Sequence, residues 1–231
     1  MLLTAIIGMA LTPIHFWHPV PILFGTLGIA LCSSASGILN QVFEQSIDAN
    51  MSRTRHRPLV TKGVSTKHAY YLALTMLALG GAILFLGTNT LTLILTLLTM
   101  VGYSIIYTKL LKPSTSQNIV IGGLFGAMPP LLGWCALTNN IHSFPIVLVA
   151  IIFCWTPSHF WALSLAKIDD YNKTSLPMLP ITHGIRATQI HILGYGIILC
   201  LITQLPYLMH ASSTLYLFLA NILNIWYMQS L

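Results

Sequence analysis

Charge is what this sequence has least of. Of 231 residues only 6% are charged, against about 25% in an ordinary soluble domain. Just four are acids: Glu44, Asp48, Asp169 and Asp170. With 55% of the chain hydrophobic, so few charges cannot cover the surface of a water-soluble globule, and a soluble fold is excluded. Cysteine is scarce too. Cys32, Cys135, Cys154 and Cys200 lie in apolar stretches and form no CxxC or CxxCH pattern, which excludes a zinc knuckle, a thioredoxin-type motif and a covalently attached haem. They read as small, reduced core residues. No basic segment precedes the first apolar run and no small-residue cleavage site follows it, so a removable signal peptide is not expected.

What the chain has in abundance is long apolar runs. A helix needs about 20 apolar residues to cross the hydrocarbon core. Eight stretches approach that length: 2–17, 20–43, 68–87, 90–108, 117–137, 144–166, 189–206 and 213–230. They are continuous rather than alternating, hence helical, and a sealed helix satisfies its own backbone in lipid. The expectation is an all-α polytopic transmembrane helix bundle of about eight spans, forming one domain over residues 1–231. The first stretch, 2–17, would rise only about 24 Å as a helix, and it reads as a span whose start is missing. Pro129-Pro130 and Pro157 fall inside spans, where each removes a backbone donor and marks a kink that could open a cavity.

The charges that do occur are not scattered. Ten Lys and Arg and the four acids fall in three windows, 44–67, 109–112 and 167–186. Two spans separate each window from the next, so all three share one side of the membrane. The loops near His18-Pro19, Gly87-Thr88, Thr138-Asn140 and Met209-Ser212 hold no Lys, Arg, Asp or Glu. The Lys/Arg bias makes the charged side cytoplasmic. The formal net charge of +6 therefore reads as orientation and as attraction for an anionic substrate, not as a nucleic-acid surface.

Polar residues at helical spacing mark candidate chemistry. Asn40, Glu44 and Asp48 recur every fourth residue, which keeps them within about 80° and 12 Å on one helix face. Two carboxylates and an amide leaving an apolar helix are costly unless something binds them, and hard oxygens in that array suit Mg²⁺. A charged helix end at the interface is the plainer alternative. Arg53, Arg55 and Arg57 follow at alternate positions, and their forks match phosphate oxygens. Asp169-Asp170 precede Tyr171. His159, eleven residues before Asp170, lies about 20° from three full helical turns, facing as Asp170 does and about 16 Å deeper. It is either a site residue or a hydrogen-bonded packing histidine. Asp48 and Asp170 are separated by four spans, as in a duplicated four-helix unit with one acidic site per half. Such a pair, with basic loops between, forms a cradle for diphosphate and Mg²⁺, and the organic part of its substrate would be a lipid or another large apolar molecule. A transporter would place its ionisable groups nearer the midplane.

Three segments carry a resemblance. Asn40-Gln41-x-x-Glu44-x-x-x-Asp48-x-Asn50-Met51-x-Arg53-Thr54-x-x-Arg57-Pro58-Leu59 is similar to the first signature of the UbiA superfamily of intramembrane prenyltransferases, in its haem-farnesylating branch. Tyr107-Thr108-Lys109, with Asn118 and Gly126 through Trp134, resembles that branch's middle segment, and Pro157-x-His159-Phe160 with Asp170-Tyr171 and Pro177 to Pro180 its last. The resemblance runs nearly the whole chain. Glu44 stands where many members have Asp, His56 where Asn is commoner, and Thr174-Ser175 where Ala-Gly is usual; the start of the first helix and the last helix of the usual nine are not seen.

The resemblance implies transfer of farnesyl from farnesyl diphosphate to a vinyl of protohaem IX, giving haem O. It implies Asn40, Glu44, Asp48 and Asp170 as catalytic residues, with Mg²⁺ on Glu44, Asp48 and Asp170. Arg53, Arg57 and Lys109 would bind diphosphate, and His159 and Tyr171 the acceptor. Haem A synthase or a terminal oxidase assembly is the implied protein partner, and a bacterial inner (or mitochondrial inner) membrane the implied place. A relative taking an aromatic or quinone-precursor acceptor, and an inactive shortened relative, remain the alternatives.

Overall fold

Thirteen helices follow from these apolar runs in a computed structural model that describes residues 1–174 and 176–231; the change expected at Ser175 lies outside them. They are α1 (Leu2–Ala10), α2 (Pro19–Phe43), α3 (Gln45–Asn50), α4 (Thr66–Gly87), α5 (Thr90–Val101), α6 (Asn118–Ala127), α7 (Pro129–Thr138), α8 (Ser143–Ala166), α9 (Ile168–Asn172), α10 (Leu179–Thr182), α11 (Gly184–Ile202), α12 (Leu205–Leu208) and α13 (Thr214–Ser230). Beyond Val101 the α5 helix widens into a π-helical segment, Gly102–Leu111.

Among the described residues six helical stretches are long and apolar enough to cross a membrane: Pro19–Phe43, Thr66–Gly87, Thr90–Leu111, Asn118–Thr138, Ser143–Ala166 and Gly184–Leu208. The other two expected spans are shorter. The first is α1, nine residues, followed by a 3₁₀ turn at Ile14–Phe16. The last is α13, seventeen residues. The break expected at Pro129 is present: α6 stops before Met128, and Pro129 opens α7 at the position where a missing N–H costs nothing. Pro157 stays inside α8 and is buried.

Local chemistry sets several boundaries. Ser65 caps α4 by accepting from the His68 N–H at 3.3 Å, and Asn89 caps α5 by accepting from the Thr92 N–H at 2.9 Å. The Asn89 amide also donates to the Cys135 carbonyl at 2.8 Å, fastening α5 to α7. Asn139, in the left-handed region at φ 49, ends α7.

The helices pack in neighbouring pairs, α2 along α4, α1 along α7 and α8 along α11. The α2–α4 seam depends on small residues, as membrane interfaces do where no hydrophobic drive distinguishes protein from lipid. A Cβ on Gly80 would lie 3.0 Å from the Gly28 carbonyl oxygen and 2.9 Å from Cys32 Sγ, so the two backbones could not approach this closely with any other residue there. One core cluster joins Ala5, Met9, Ile29, Cys32, Leu84, Leu132 and Ala136. Another, around Trp161, joins Ile119, Leu176, Met178, Leu179 and Ile192 beside the polar residues described next. Large side chains such as Leu27, Phe85, Leu98 and Leu201 face outward. On a soluble protein such a coat would drive aggregation; on a spanning bundle it faces acyl chains.

Candidate active site

The acids leave α2 at a break in the helix. Glu44 is the residue between α2 and α3, with φ −99 and ψ 8. The break does not scatter the polar triad, because its amides still bond four residues back: Glu44 N–H to Asn40 O at 3.0 Å and Asp48 N–H to Glu44 O at 2.8 Å. Asn40, Glu44 and Asp48 thus line one cavity of about 160 Å³. Glu44 is 5% exposed and Asp48 3%.

Two such buried carboxylates need cations. Arg57 Nη1 donates to Asp48 Oδ2 at 2.6 Å, and Lys112 Nζ donates to Glu44 Oε1. One oxygen of each acid, Glu44 Oε2 and Asp48 Oδ1, makes no hydrogen bond within the described chain. Thr54 Oγ1 donates to the Asp48 carbonyl at 3.0 Å and so holds the turn that returns Arg57. Asn40 Nδ2 donates to Thr108 Oγ1 at 3.1 Å, and Thr108 Oγ1 to Tyr103 O at 2.9 Å, which links α2 to the π segment. Arg53 lines the cavity, and among the described residues it has no acidic partner. Breaking one of these pairs would strand a buried charge at a cost of about 3–5 kcal/mol.

Lys112 reaches the site because of the π segment. A π-helix bonds five residues back and so turns less per residue than an α-helix; the nine steps from Tyr103 to Lys112 then make about two full turns and put both on one face, where an α-helix, at about 3.6 residues per turn, would put them on opposite faces. The Lys112 N–H bonds to Tyr107 O, five residues back, at 2.9 Å. Tyr103, Tyr107 and Lys112 all line the cavity. Lys109, singled out from the sequence, is not among its lining residues. It is exposed, with Nζ 5.8 Å from the Phe43 ring centre.

Tyr171 lines the cavity from α9. Burial pushes its phenol above the ordinary value, with the Arg53 charge opposing. Asp170 beside it is not a lining residue. It accepts from Ser52 Oγ, in the loop that carries Arg53, and from Lys173 Nζ at 3.4 Å. The Ser52 bond, then Lys173, holds its carboxyl below the ordinary range. Together with the Lys112–Glu44 pair, this contact draws the three charged windows together.

Counting turns from His159 to Asp170 assumes one unbroken helix, and the structure has two. Lys167 interrupts the helix with φ −125 and ψ 30, its N–H bonding only three residues back to Ser164 O, so the count of turns restarts at α9. The His159 ring stacks on Trp155, centroids 4.4 Å apart and planes at 15°.

A second, mostly apolar cavity of about 340 Å³ shares Tyr103, Tyr107, Ile119 and Phe160 with the polar one, and Gly122, Gly126 and Trp155 also line it. Gly122 is required there, because a Cβ would run into the Tyr107 ring. Among the described residues no three acids, histidines or cysteines gather closely enough to bind a metal by themselves. Two carboxylates with free oxygens do suit Mg²⁺, which keeps waters and takes one or two carboxylates with phosphate oxygens. Lys112, Tyr103 and Ser52 were not singled out in the sequence, and Asn118 stood there only in the middle segment of the resemblance, without a role. Of the first three only Lys112 carried a signal, its charge beside Lys109, and α-helical counting could not choose between the two.

The UbiA prenyltransferase family model matches residues 1–231. The "Protoheme IX farnesyltransferase 1" of Pseudomonas putida strain W619 is 47% identical over 229 residues, covering 99% of this chain and 77% of that protein. That of Pseudomonas fluorescens strain Pf0-1 is 48% identical over 220 residues, covering 95% and 74%. Among solved structures, a UbiA homologue from Aeropyrum pernix K1 superposes with a TM-score of 0.81 at 19% identity, over 97% of this chain and 83% of that one. A UbiA homologue from Archaeoglobus fulgidus bound to DMAPP and Mg²⁺ gives 0.76 at 17% identity, over 99% and 80%. At those identities the structures speak for the shared helical bundle alone. The identity and coverage of the Pseudomonas sequences go further: the chain belongs to the UbiA prenyltransferase family, in its protohaem IX farnesyltransferase branch.

Proposed function

We propose that this protein transfers the farnesyl group of farnesyl diphosphate to a vinyl group of protohaem IX, with addition of water, giving haem O and diphosphate. The observation that carries the reading is a pair of neighbouring cavities. One is lined by Glu44, Asp48, Arg53, Arg57 and Lys112 and suits a metal diphosphate; the other is mostly apolar, and the two share Tyr103 and Tyr107 among their lining residues. A diphosphate ester with a long apolar tail fits that division.

Arg53, with no acidic partner among the described residues, meets the diphosphate with its fork, and Arg57 and Lys112 share the charge that grows on the leaving group. Glu44, Asp48 and Asp170 would hold Mg²⁺, Asp170 from the α9 side where its bond to Ser52 ties it to the loop of Arg53, and the metal would supply positive charge against the leaving diphosphate. Asn40 would orient a phosphate oxygen, and Lys109 would add positive potential from the exposed surface. The C1–O bond breaks with its electrons on diphosphate. The vinyl π electrons form the new C–C bond, and water captures the resulting carbocation and loses a proton. Tyr171 and His159 serve the acceptor, His159 by fixing Trp155 through its ring stack. The lysine and arginine bias supports a site on the cytoplasmic face of a bacterial inner membrane, with the product passing to haem A synthase or an oxidase assembly. The two short terminal helices complete eight membrane segments in the bundle.

The test is a membrane assay with protohaem, farnesyl diphosphate and Mg²⁺, with extracted haems weighed by mass spectrometry. Farnesylated haem that disappears in empty-vector membranes and in Asp48→Asn supports the reading. Well-inserted protein that makes none, or that prenylates a phenolic acceptor instead, overturns it.

A further inference from the structure

Among the described residues five buried side-chain polar atoms have no hydrogen-bond partner, and one, Asn118 Oδ1, belongs to a residue that lines the polar cavity. Asn118 opens α6 and is 1% exposed. Its orientation is determined by chemistry: Nδ2 donates to the Thr115 carbonyl at 2.6 Å, and since a carbonyl can only accept, the other end of the amide must be the oxygen. That oxygen needs a donor or a cation. Diphosphate oxygens only accept, and an isoprenoid chain offers nothing. Lys112 Nζ is engaged by Glu44 and Arg57 Nη1 by Asp48; Arg53 and the phenols of Tyr103, Tyr107 and Tyr171 also line the cavity, and none of them donates to this oxygen. A hydrated divalent cation meets the requirement, because amide carbonyls are ordinary ligands for hard metals.

We propose that Asn118 positions the divalent metal of the metal–diphosphate, its Oδ1 taking the ion from the α6 side, directly or through one of its waters, while Glu44 and Asp48 take it from α2 and α3. The inference rests on the metal–diphosphate reading of the cavity, though not on which acceptor is prenylated.

The full chain in detergent is titrated with Mn²⁺ in the presence of inorganic diphosphate, and free Mn²⁺ is read by its EPR signal. Asn118→Leu, or Asn118→Ala should leucine not fold, weakens Mn²⁺ binding by about 10–100-fold, the range for losing a metal's supporting partner. Asn118→Asp restores an oxygen at the same place while still lacking the bond to Thr115, and it binds Mn²⁺ within about threefold of the unsubstituted protein or more tightly. A purely structural asparagine gives a different pattern, with both variants weakened alike or neither affected, and either result overturns the proposal. If the unsubstituted chain binds Mn²⁺ no better than Asp48→Asn does, the metal–diphosphate reading falls and this inference with it. If Mn²⁺ binding follows the expected order while no haem O forms, the acceptor is wrong and Asn118 keeps its role.

Discussion

Replacing Lys112 with methionine keeps an unbranched side chain, one atom shorter, and removes its charge. Glu44 then keeps a buried carboxylate with no cation: its side chain is 7% exposed and that of Lys112 20%. Breaking a buried pair costs about 3–5 kcal/mol, and the partial exposure of Lys112 argues for the lower end. About 3 kcal/mol lowers the unfolding temperature by roughly 6–12 °C in a chain of this size. Activity falls further, by about 10²–10³ in kcat, because a preorganised group facing the leaving diphosphate is lost as well. Lys109→Met is the comparison. Its charge lies over the Phe43 ring at the surface, a contact worth about 0.5–1 kcal/mol, so activity stays within about fivefold. The double variant Lys112→Met/Glu44→Gln removes both charges, recovers most of the lost stability and stays inactive. Thermal unfolding in detergent and the haem O assay read both quantities. The reasoning is refuted if Lys109→Met proves the more damaging, or if Lys112→Met unfolds within about 2 °C of the unsubstituted protein.

Other perturbations test other parts of the site. Arg57→Lys keeps the charge but loses the fork, and farnesyl diphosphate KM rises about tenfold, visible in steady-state kinetics. Gly122→Ala drives a methyl into Tyr107, costing about 1–3 kcal/mol in thermal unfolding and lowering turnover with it. Because the Ser52 bond lowers the Asp170 pKa, its contribution to stability is full above about pH 4, the ordinary carboxylate value, and is lost as pH falls through the lowered one. Ser52→Ala lets that pKa rise, so the acid limb of unfolding temperature against pH moves upward; an unmoved limb counts against the contact. His159→Ala loosens Trp155 and raises the KM for protohaem while leaving that for farnesyl diphosphate within about twofold, as the loss of an aromatic stack of about 0.5–1.5 kcal/mol on the acceptor side requires.

The amino-acid sequence determined the solvent this protein lives in. With four acids in 231 residues, no arrangement of the chain could be soluble, and hydropathy alone located the six long spans and the windows where polar chemistry had to occur. It also brought Asn40, Glu44 and Asp48 together, because spacing by four is a local property and the break at Glu44 preserved the i to i−4 bonds. Tertiary structure decided what depends on leaving the ideal helix. The π segment selected Lys112 over Lys109 for the cavity. The interruption at Lys167 separates α9 from α8, and the folded bundle brings Asp170 of α9 to Ser52; the His159–Trp155 stack, four residues apart within α8, is local. The unmet oxygen of Asn118 and the sharing of Tyr103 and Tyr107 by the two cavities belong to helices that touch only in the folded bundle. Periodicity fixes an angle only while the helix is regular, and here Lys112 and Asp170 both follow its irregular turns.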